Sequence, residues 1–343
     1  MKKACLVVDS IYQQNEIFKK DSWLNRDNCL QFFQDLQTEF LNHKIQLATQ
    51  DIVSISDADY VIYNDMPKKL PRHEHQSKSY LLIFESELIR PDNWNLQSHQ
   101  LFRKIFTWHD PIVDQSKYFK FNFSHHLSQQ QKKEFLPFAQ KSKFCTLIAG
   151  HKSVKHPQEL YSKRVEAIRW FEKNQPQFFE LYGVGWDLHT FKGPLICRAF
   201  NRIKLFRKIF SEKWPSYQGK VKDKLELLRN CKFSICYENA FGIEGYITEK
   251  ILDSLAAGCI PVYWGAPNIS QFIPEECFIR RENFTSYESL WQYLSAMTEE
   301  DYNKRLLAIQ KFLTSPKHQV FESSFVAQSV VQQIVSSNGV YEK

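Results

Sequence analysis

An α/β protein built from two Rossmann-like halves is the fold class this sequence predicts, on three observations. Short apolar runs alternate with stretches of helical periodicity from the N-terminus onward, as parallel α/β layering requires. The length, 343 residues, suits about two domains, each large enough to bury its own core. In the stretch 233–265, FSICYENAFGIEGYITEKILDSLAAGCIPVYWG, polar residues begin where a buried run stops, the place at which open parallel sheets bind ligands.

The first half, 1–140, has strand candidates at 4–8, 45–48, 60–63, 80–84 and 104–107, all short and apolar. Between the first two, residues 28–41 place Leu30, Phe33, Leu36 and Phe40 on one helical face. The polar stretch 124–141 reads as the link to the second half, 141–320. That half opens with a strand at 144–149, a helix at 159–172 and a strand at 178–182. Residues 233–237 then read as a buried parallel strand ending in Glu238 and Asn239, and Gly242 and Gly245 make a turn. Tyr246, Thr248, Glu249 and Lys250 form the first turn of a helix whose apolar face is Ile251, Leu252, Leu255 and Ala256. Gly258 ends it, and 260–264 supplies another strand. The tail, 321–343, carries a last helix at 323–336 with apolar residues Phe325, Val330, Val331 and Ile334.

A helix N-terminus bearing a lysine attracts phosphate, which makes 233–265 a candidate platform for a phosphorylated ligand. Its pattern is Phe233-x-Ile235-x-Tyr237-Glu238-Asn239, then Tyr246-x-Thr248-Glu249-Lys250, then Ala257-Gly258 and Pro261-Val262. This resembles the donor-binding signature of the α-1,3/4-fucosyltransferases, glycosyltransferase family 10, with mild departures at Tyr237, where phenylalanine is usual, and at Ala240, where serine or threonine is usual. The resemblance covers 145–278 well and 80–85 loosely. It implies a GT-B-like fold, two Rossmann-like domains facing a central cleft, with the final helix crossing back to the first domain. It also implies an inverting transferase that moves L-fucose from GDP-fucose to a glycan hydroxyl.

Such a transfer needs a base for the acceptor hydroxyl and positive charge for the departing diphosphate. The resemblance of Phe84-Glu85-Ser86 to a family element makes Glu85 the candidate base. Glu87, two residues on along an extended chain, is its competitor, and a solvated strand-capping acid is the plainer reading. Arg164 is placed as the family's phosphate-binding arginine is, and Lys250 comes from the signature. A surface salt bridge of Arg164 with Asp187 is the alternative, and Arg169 faces elsewhere on the helix. Asn239 and Glu249 suit sugar hydroxyls, although an acid at a helix start also serves the helix dipole, and Glu238 of the signature is counted with them among the donor-binding residues. Tyr246 and Tyr182 offer aromatic faces to guanine or sugar, and Tyr182-Gly183 resembles a family element. Gly150-His151-Lys152 stands where the family often has Ser-Asn, so a contact at His151 is left open.

With Arg164 and Lys250 on the diphosphate, no metal or other cofactor is expected. Asp57-Ala58-Asp59 has the spelling of a manganese motif but lies far from the signature, and His73, His75, His125 and His126 show no zinc-ligand spacing and read as solvated loop residues. The net charge of +7 accompanies no zinc-finger, RRM or basic-zipper pattern, so phosphorylated ligands or anionic membranes, and not nucleic acid, are its expected counterparts. The eight cysteines show no CxxC pairing, which fits a reduced cytosol. The apolar run after Met1 is too short for a signal peptide, so a cytoplasmic chain, peripheral at most, is expected, of a bacterial type that lacks the Golgi anchor of animal family members. Three N-x-S/T sequons, at Asn122, Asn268 and Asn283, carry no weight in that setting.

The stretch 191–215 holds seven basic residues and one acid, with Ile196, Phe200, Ile203, Phe206 and Phe210 at helical spacing. It reads either as an amphipathic helix for a membrane surface or as an insertion packed on the second half. The expected partners are GDP-fucose and a glycan acceptor, lipid-linked or of N-acetyllactosamine type. A transferase using another nucleotide sugar and a non-catalytic glycan-binding relative are the rivals.

Overall fold

Two all-parallel β-sheets, one after the other along the chain, organise the computed structural model, which describes residues 1–127, 134–189, 191 and 200–336. The first sheet contains β1 (Lys2–Val7), β2 (Ile45–Thr49), β3 (Tyr60–Asn64), β4 (Ser79–Ile83), β5 (Lys104–Thr107) and β6 (Tyr118–Lys120), in the order β2-β1-β3-β4-β5-β6. The second contains β7 (Lys143–Ile148), β8 (Phe179–Tyr182), β9 (Cys231–Tyr237), β10 (Ile260–Trp264) and β11 (Ile279–Arg280), in the order β11-β10-β9-β7-β8. Within each sheet the winding reverses between the first and third strands, and the crevice at that reversal is where doubly wound sheets bind ligands. In the second sheet the reversal lies between β7 and β9, whose register pairs Cys145 with Phe233 and Thr146 with Ser234.

The helices that matter below are α1 (Gln31–Asn42), α2 (Tyr161–Asn174), α3 (Lys204–Ile209), α4 (Lys224–Arg229), α5 (Glu249–Ala256), α6 (Tyr287–Ser295), α7 (Glu299–Thr314) and α8 (Ser323–Val335). Every residue of β4 is buried, because apolar clusters cover both faces of the first sheet. One of those clusters joins Leu36 and Phe40 of α1 to Val326, Ala327, Val330, Val331 and Ile334 of α8. The last helix thus packs on the first sheet although the preceding helix α7 belongs to the core of the second. Phe325, expected on its apolar face, is 42% exposed, because Val326 and Ala327 take the inward positions.

The two halves meet through a small set of close contacts. Gly245, at φ +80°, sits so near the first half that a Cβ would overlap the carbonyl oxygen of Trp108, so a side chain is excluded by both conformation and space. Beside it the Trp108 ring lies 4.6 Å from that of Tyr246, and Asn268 Nδ2 donates to Asp110 Oδ2 at 2.8 Å. Cys29 is exposed, and the other described cysteines are buried and unpaired. Among the described residues, no helix is long and apolar enough to cross a membrane.

Candidate active site

A cavity of about 720 Å³ opens between the halves, at the β7/β9 reversal. Its second-half wall is built from the ends of those two strands, Gly183 and Val184 after β8, and the first turn of α5. Its first-half wall includes Glu85, Phe123, Arg26 and Asp27. Seven cationic side chains line it against four carboxylates, a balance suited to an anionic ligand.

Arg164 stands at the floor. It projects from α2, is 5% exposed, and its Nη2 donates to Tyr237 O at 2.7 Å, Glu238 O at 2.8 Å and Asn239 Oδ1 at 3.1 Å. These bonds tie the helix to the end of β9, and among the described residues no ion pair with Asp187 forms. Burial pulls the Arg164 pKa down, but a guanidinium stays cationic. Arg169, by contrast, pairs with Glu172 and Glu212 and stacks on Trp214 away from the cleft.

Glu238 and Asn239, adjacent at the end of β9, part company. Asn239 lines the cleft, and its Nδ2 donates to Tyr246 Oη at 3.2 Å. Glu238 is fully buried behind the wall, where its carboxylate accepts from Thr248 N at 2.9 Å, Thr248 Oγ1 at 2.7 Å and Lys250 Nζ at 3.3 Å. The expectation that Glu238 contacts a ligand is corrected: it anchors the start of α5. Thr248, the N-cap of α5, spends its hydroxyl on Glu238 and not on the helix end.

Lys250 and Glu249 both line the cleft, with side chains 21% and 50% exposed and 3.5 Å apart. Burial lowers the Lys250 pKa, but Glu249 and Glu238 outweigh it and hold the ammonium above its ordinary value. Burial likewise works against Glu249, and Lys250 leads the effects that hold it below the usual carboxylate range. A fixed cation beside a half-exposed acid thus sits at a helix N-terminus.

Two tyrosines differ from expectation. Tyr182 does not line the cavity, since its hydroxyl donates to Glu180 Oε2 at 2.7 Å, and Gly183 supplies the wall there. Tyr246 lines it but is 2% exposed, with its ring packed against Trp108 and Phe123, so it joins the halves and offers no open face. It also precedes α5 and is not part of the helix's first turn.

Across the cleft, Glu85 follows β4 and lines the cavity, while Glu87 is exposed and outside it. Asp65 Oδ1 accepts from Glu85 N at 3.2 Å, and Asn93 and Trp94 donate to the Glu85 carbonyl, so the backbone is pinned on both sides. Burial, reinforced by Asp65, raises the Glu85 pKa against the pull of Lys152 and Lys250.

Several residues here escaped the sequence reading. Tyr161, 2% exposed, lines the cavity with its ring 4.9 Å from the Arg164 guanidinium, and its hydroxyl has no hydrogen-bond partner. Nothing in the sequence flagged it beyond its place one turn before Arg164. Lys152 lines the cleft, whereas His151 stacks on Trp186 at 4.4 Å. Lys220 and Lys222 line it too, and the alternation Lys-Val-Lys after Gly219 could have suggested them. The reading of His125 as a solvated loop residue is corrected: its Nε2 lies 2.7 Å from Asp253 Oδ1, and Lys224 Nζ donates to Asp253 Oδ2 at 2.7 Å, forming a partly buried chain between the halves. Among the described residues, no group of three His, Cys, Asp or Glu side chains is placed to hold a metal. Asp57 and Asp59 are occupied elsewhere, by the Ser54 hydroxyl and the Lys3 amide.

Residues 198–318 match the model of the glycosyltransferase family 10 (fucosyltransferase) C-terminal domain. An α-(1,3)-fucosyltransferase of Helicobacter pylori is 36% identical over 74 residues, 22% of this chain and 15% of that protein. The mouse 4-galactosyl-N-acetylglucosaminide 3-α-L-fucosyltransferase 9 is 36% identical over 87 residues, 25% of this chain and 23% of its own length. The alignments therefore span less than a quarter of each relative. Among solved structures, an α1,3-fucosyltransferase with GDP-fucose superposes with a TM-score of 0.55 at 14% identity, over 100% of this chain and 92% of that one. An α-glucosyltransferase in complex with UDP does so at 0.56 and 11%, over 98% and 100%, so the fold by itself is common to different donors. Residues 198–318 thus resemble the C-terminal domain of the fucosyltransferases of glycosyltransferase family 10, and the two parallel sheets that carry them have the GT-B fold.

Proposed function

We propose that the chain transfers L-fucose from GDP-fucose to a glycan hydroxyl in a single inverting displacement. The observation that carries this reading is the placement of Glu85 on one wall of the cleft, facing the cations Arg164 and Lys250 on the other. In the proposed step the acceptor O–H gives its proton to the Glu85 carboxylate, the acceptor oxygen bonds to the anomeric carbon, and the bond from that carbon to the β-phosphate oxygen breaks. GDP leaves with the electron pair, and Arg164, Lys250 and the N-terminus of α5 receive its growing charge. Arginine offers a fork and lysine a point charge, so the pair suits a diphosphate without a metal. Glu249 and Asn239 are assigned to sugar hydroxyls. A glycan on a lipid carrier or an N-acetyllactosamine-type chain is the proposed acceptor, and cytoplasm the proposed location. The test is incubation with GDP-fucose and a panel of glycans, with product linkage read by NMR. Transfer from another nucleotide sugar alone would move the chain to a different donor, and GDP-fucose turnover with a β-linked product would end the single-displacement reading.

Activity is expected to persist in excess EDTA. Loss with chelator and recovery with manganese would show that a metal, and not the two side chains, meets the diphosphate.

Tyr161→Phe separates a packing role from a binding one. The hydroxyl is buried without a partner, so its removal should leave thermal stability unchanged or raised. A hydrogen bond from it to the charged diphosphate is worth roughly tenfold in affinity, so calorimetry should show GDP binding weakened by about that factor. Unchanged GDP affinity would remove Tyr161 from the site.

A further inference from the structure

The excursion between β8 and α4 carries a face that the cleft chemistry leaves unused. It departs beyond Val184 and returns through Trp214 to Lys220 and Lys222, and both ends line the cavity. The described part holds itself together. The Phe191 ring sits 5.8 Å from Phe200 and 5.7 Å from Phe210, Asn201 exchanges two 2.9 Å hydrogen bonds with the Phe191 backbone, and Arg207 Nε donates to His189 O at 2.8 Å. No described residue from Phe200 to Phe210 belongs to a hydrophobic cluster of either half. Ile203, Leu205, Ile209 and Phe210 are 46%, 67%, 65% and 56% exposed, a contiguous apolar ridge on a helix of six residues and its flanks. Of the stretch 191–215, Trp214 packs in the core of the second half, whereas the described residues 200–210 do not. Arg202, Lys204 and Lys208 are exposed beside the ridge, and no described acid forms an ion pair with them.

We infer that this ridge docks on an anionic lipid membrane, its apolar side chains entering the interface and Arg202, Lys204 and Lys208 meeting the phosphate headgroups. Charge selects that occupant. A second copy of the chain would bring a like-charged ridge against its own on a protein of net charge +7, whereas an anionic surface neutralises it. Because both ends of the excursion line the cavity, docking would hold the cleft close to the membrane.

The test is co-sedimentation of the full chain with vesicles of phosphatidylglycerol and phosphatidylcholine in equal parts, against pure phosphatidylcholine. Neither donor nor acceptor is present, so the outcome is independent of the proposed transfer. The wild type should pellet with the anionic vesicles only, and less as salt rises. Lys204→Gln/Lys208→Gln should lower the partition coefficient by roughly 30-fold, about fivefold for each lysine near the surface. Leu205→Ser/Ile209→Ser should abolish binding, with circular dichroism confirming the fold and the lysine variant giving a second, independent readout. Equal pelleting of wild type and both variants, or no wild-type binding to anionic vesicles, overturns the proposal. Concentration-dependent self-association that Leu205→Ser/Ile209→Ser removes would overturn it in favour of a second copy.

Discussion

Glu85→Gln is expected to lower fucosyl transfer by about 100- to 10,000-fold, the usual contribution of a positioned base, while GDP affinity is unchanged. The separation follows from geometry: Glu85 comes from the first half, whereas the groups assigned to the diphosphate come from the second. Glutamine keeps the shape and loses only the proton acceptor, and the backbone pinned by Asp65, Asn93 and Trp94 has no reason to move. Glu87→Gln, at an exposed position outside the cavity, should be nearly silent. A pH profile provides a second check. In the proposed step Glu85 acts as carboxylate, and burial with Asp65 raises its pKa, so the acid limb of the rate should lie above the ordinary glutamate value of 4.5. Activity is lost as pH falls through that limb. A limb at or below 4.5, or normal turnover in Glu85→Gln with Glu87→Gln inactive, would reassign the base.

Lys250→Ala should have the second large effect, and on two properties at once. Glu238 is fully buried, and among the described residues Lys250 Nζ is the cation that meets its carboxylate. Deleting one member of a buried pair leaves an uncompensated charge and costs about 3–5 kcal/mol, so a clear fall in melting temperature is expected together with the loss of GDP binding. Burial already raises the Glu238 pKa, and Lys250 leads the effects that oppose it. Without the lysine the folded-state pKa rises further, so the fold favours the protonated acid. The variant should then be relatively more stable at low pH and lose stability as pH rises from about 4.5 through the raised value. Lys250→Ala/Glu238→Gln removes both charges and should regain most of the stability, measured by thermal melting across pH, without regaining GDP affinity. Recovery of GDP binding in the double variant would make the lysine a structural partner of Glu238 and leave Arg164 alone on the diphosphate.

Much of the second half was legible because its chemistry is local. From Phe233 to Gly265, strand, turn, helix and strand follow within one stretch, and the apolar period, the turn glycines and the ending at Gly258 specify each in place. The strands at 104–107 and 260–264 have the bounds read from sequence, and the other first-half strands shift by one or two residues at an end. The edge strands β6 and β11 escaped, since three and two residues are too few to show a period and their pairing depends on neighbours distant in sequence. What sequence alone determined, then, is the α/β class, the order of most elements and the family of the donor-side pattern.

The tertiary structure decided which way side chains face and what stands opposite them. Glu238 and Asn239 are neighbours at a strand end, where successive side chains alternate in direction, and nothing local says which turns inward. The amide and hydroxyl of Thr248 capture Glu238, leaving Asn239 to the cleft. Glu85 and Lys250 lie far apart in the chain and share a cavity only because the halves close around Gly245, Trp108 and Tyr246. The pairing of His125 with Asp253, and the exclusion of Tyr182 in favour of Gly183, depend on that same closure or on a competing neighbour. Periodicity is carried by neighbouring residues and can be read from them, whereas a cleft is made by residues that meet only after both sheets have packed.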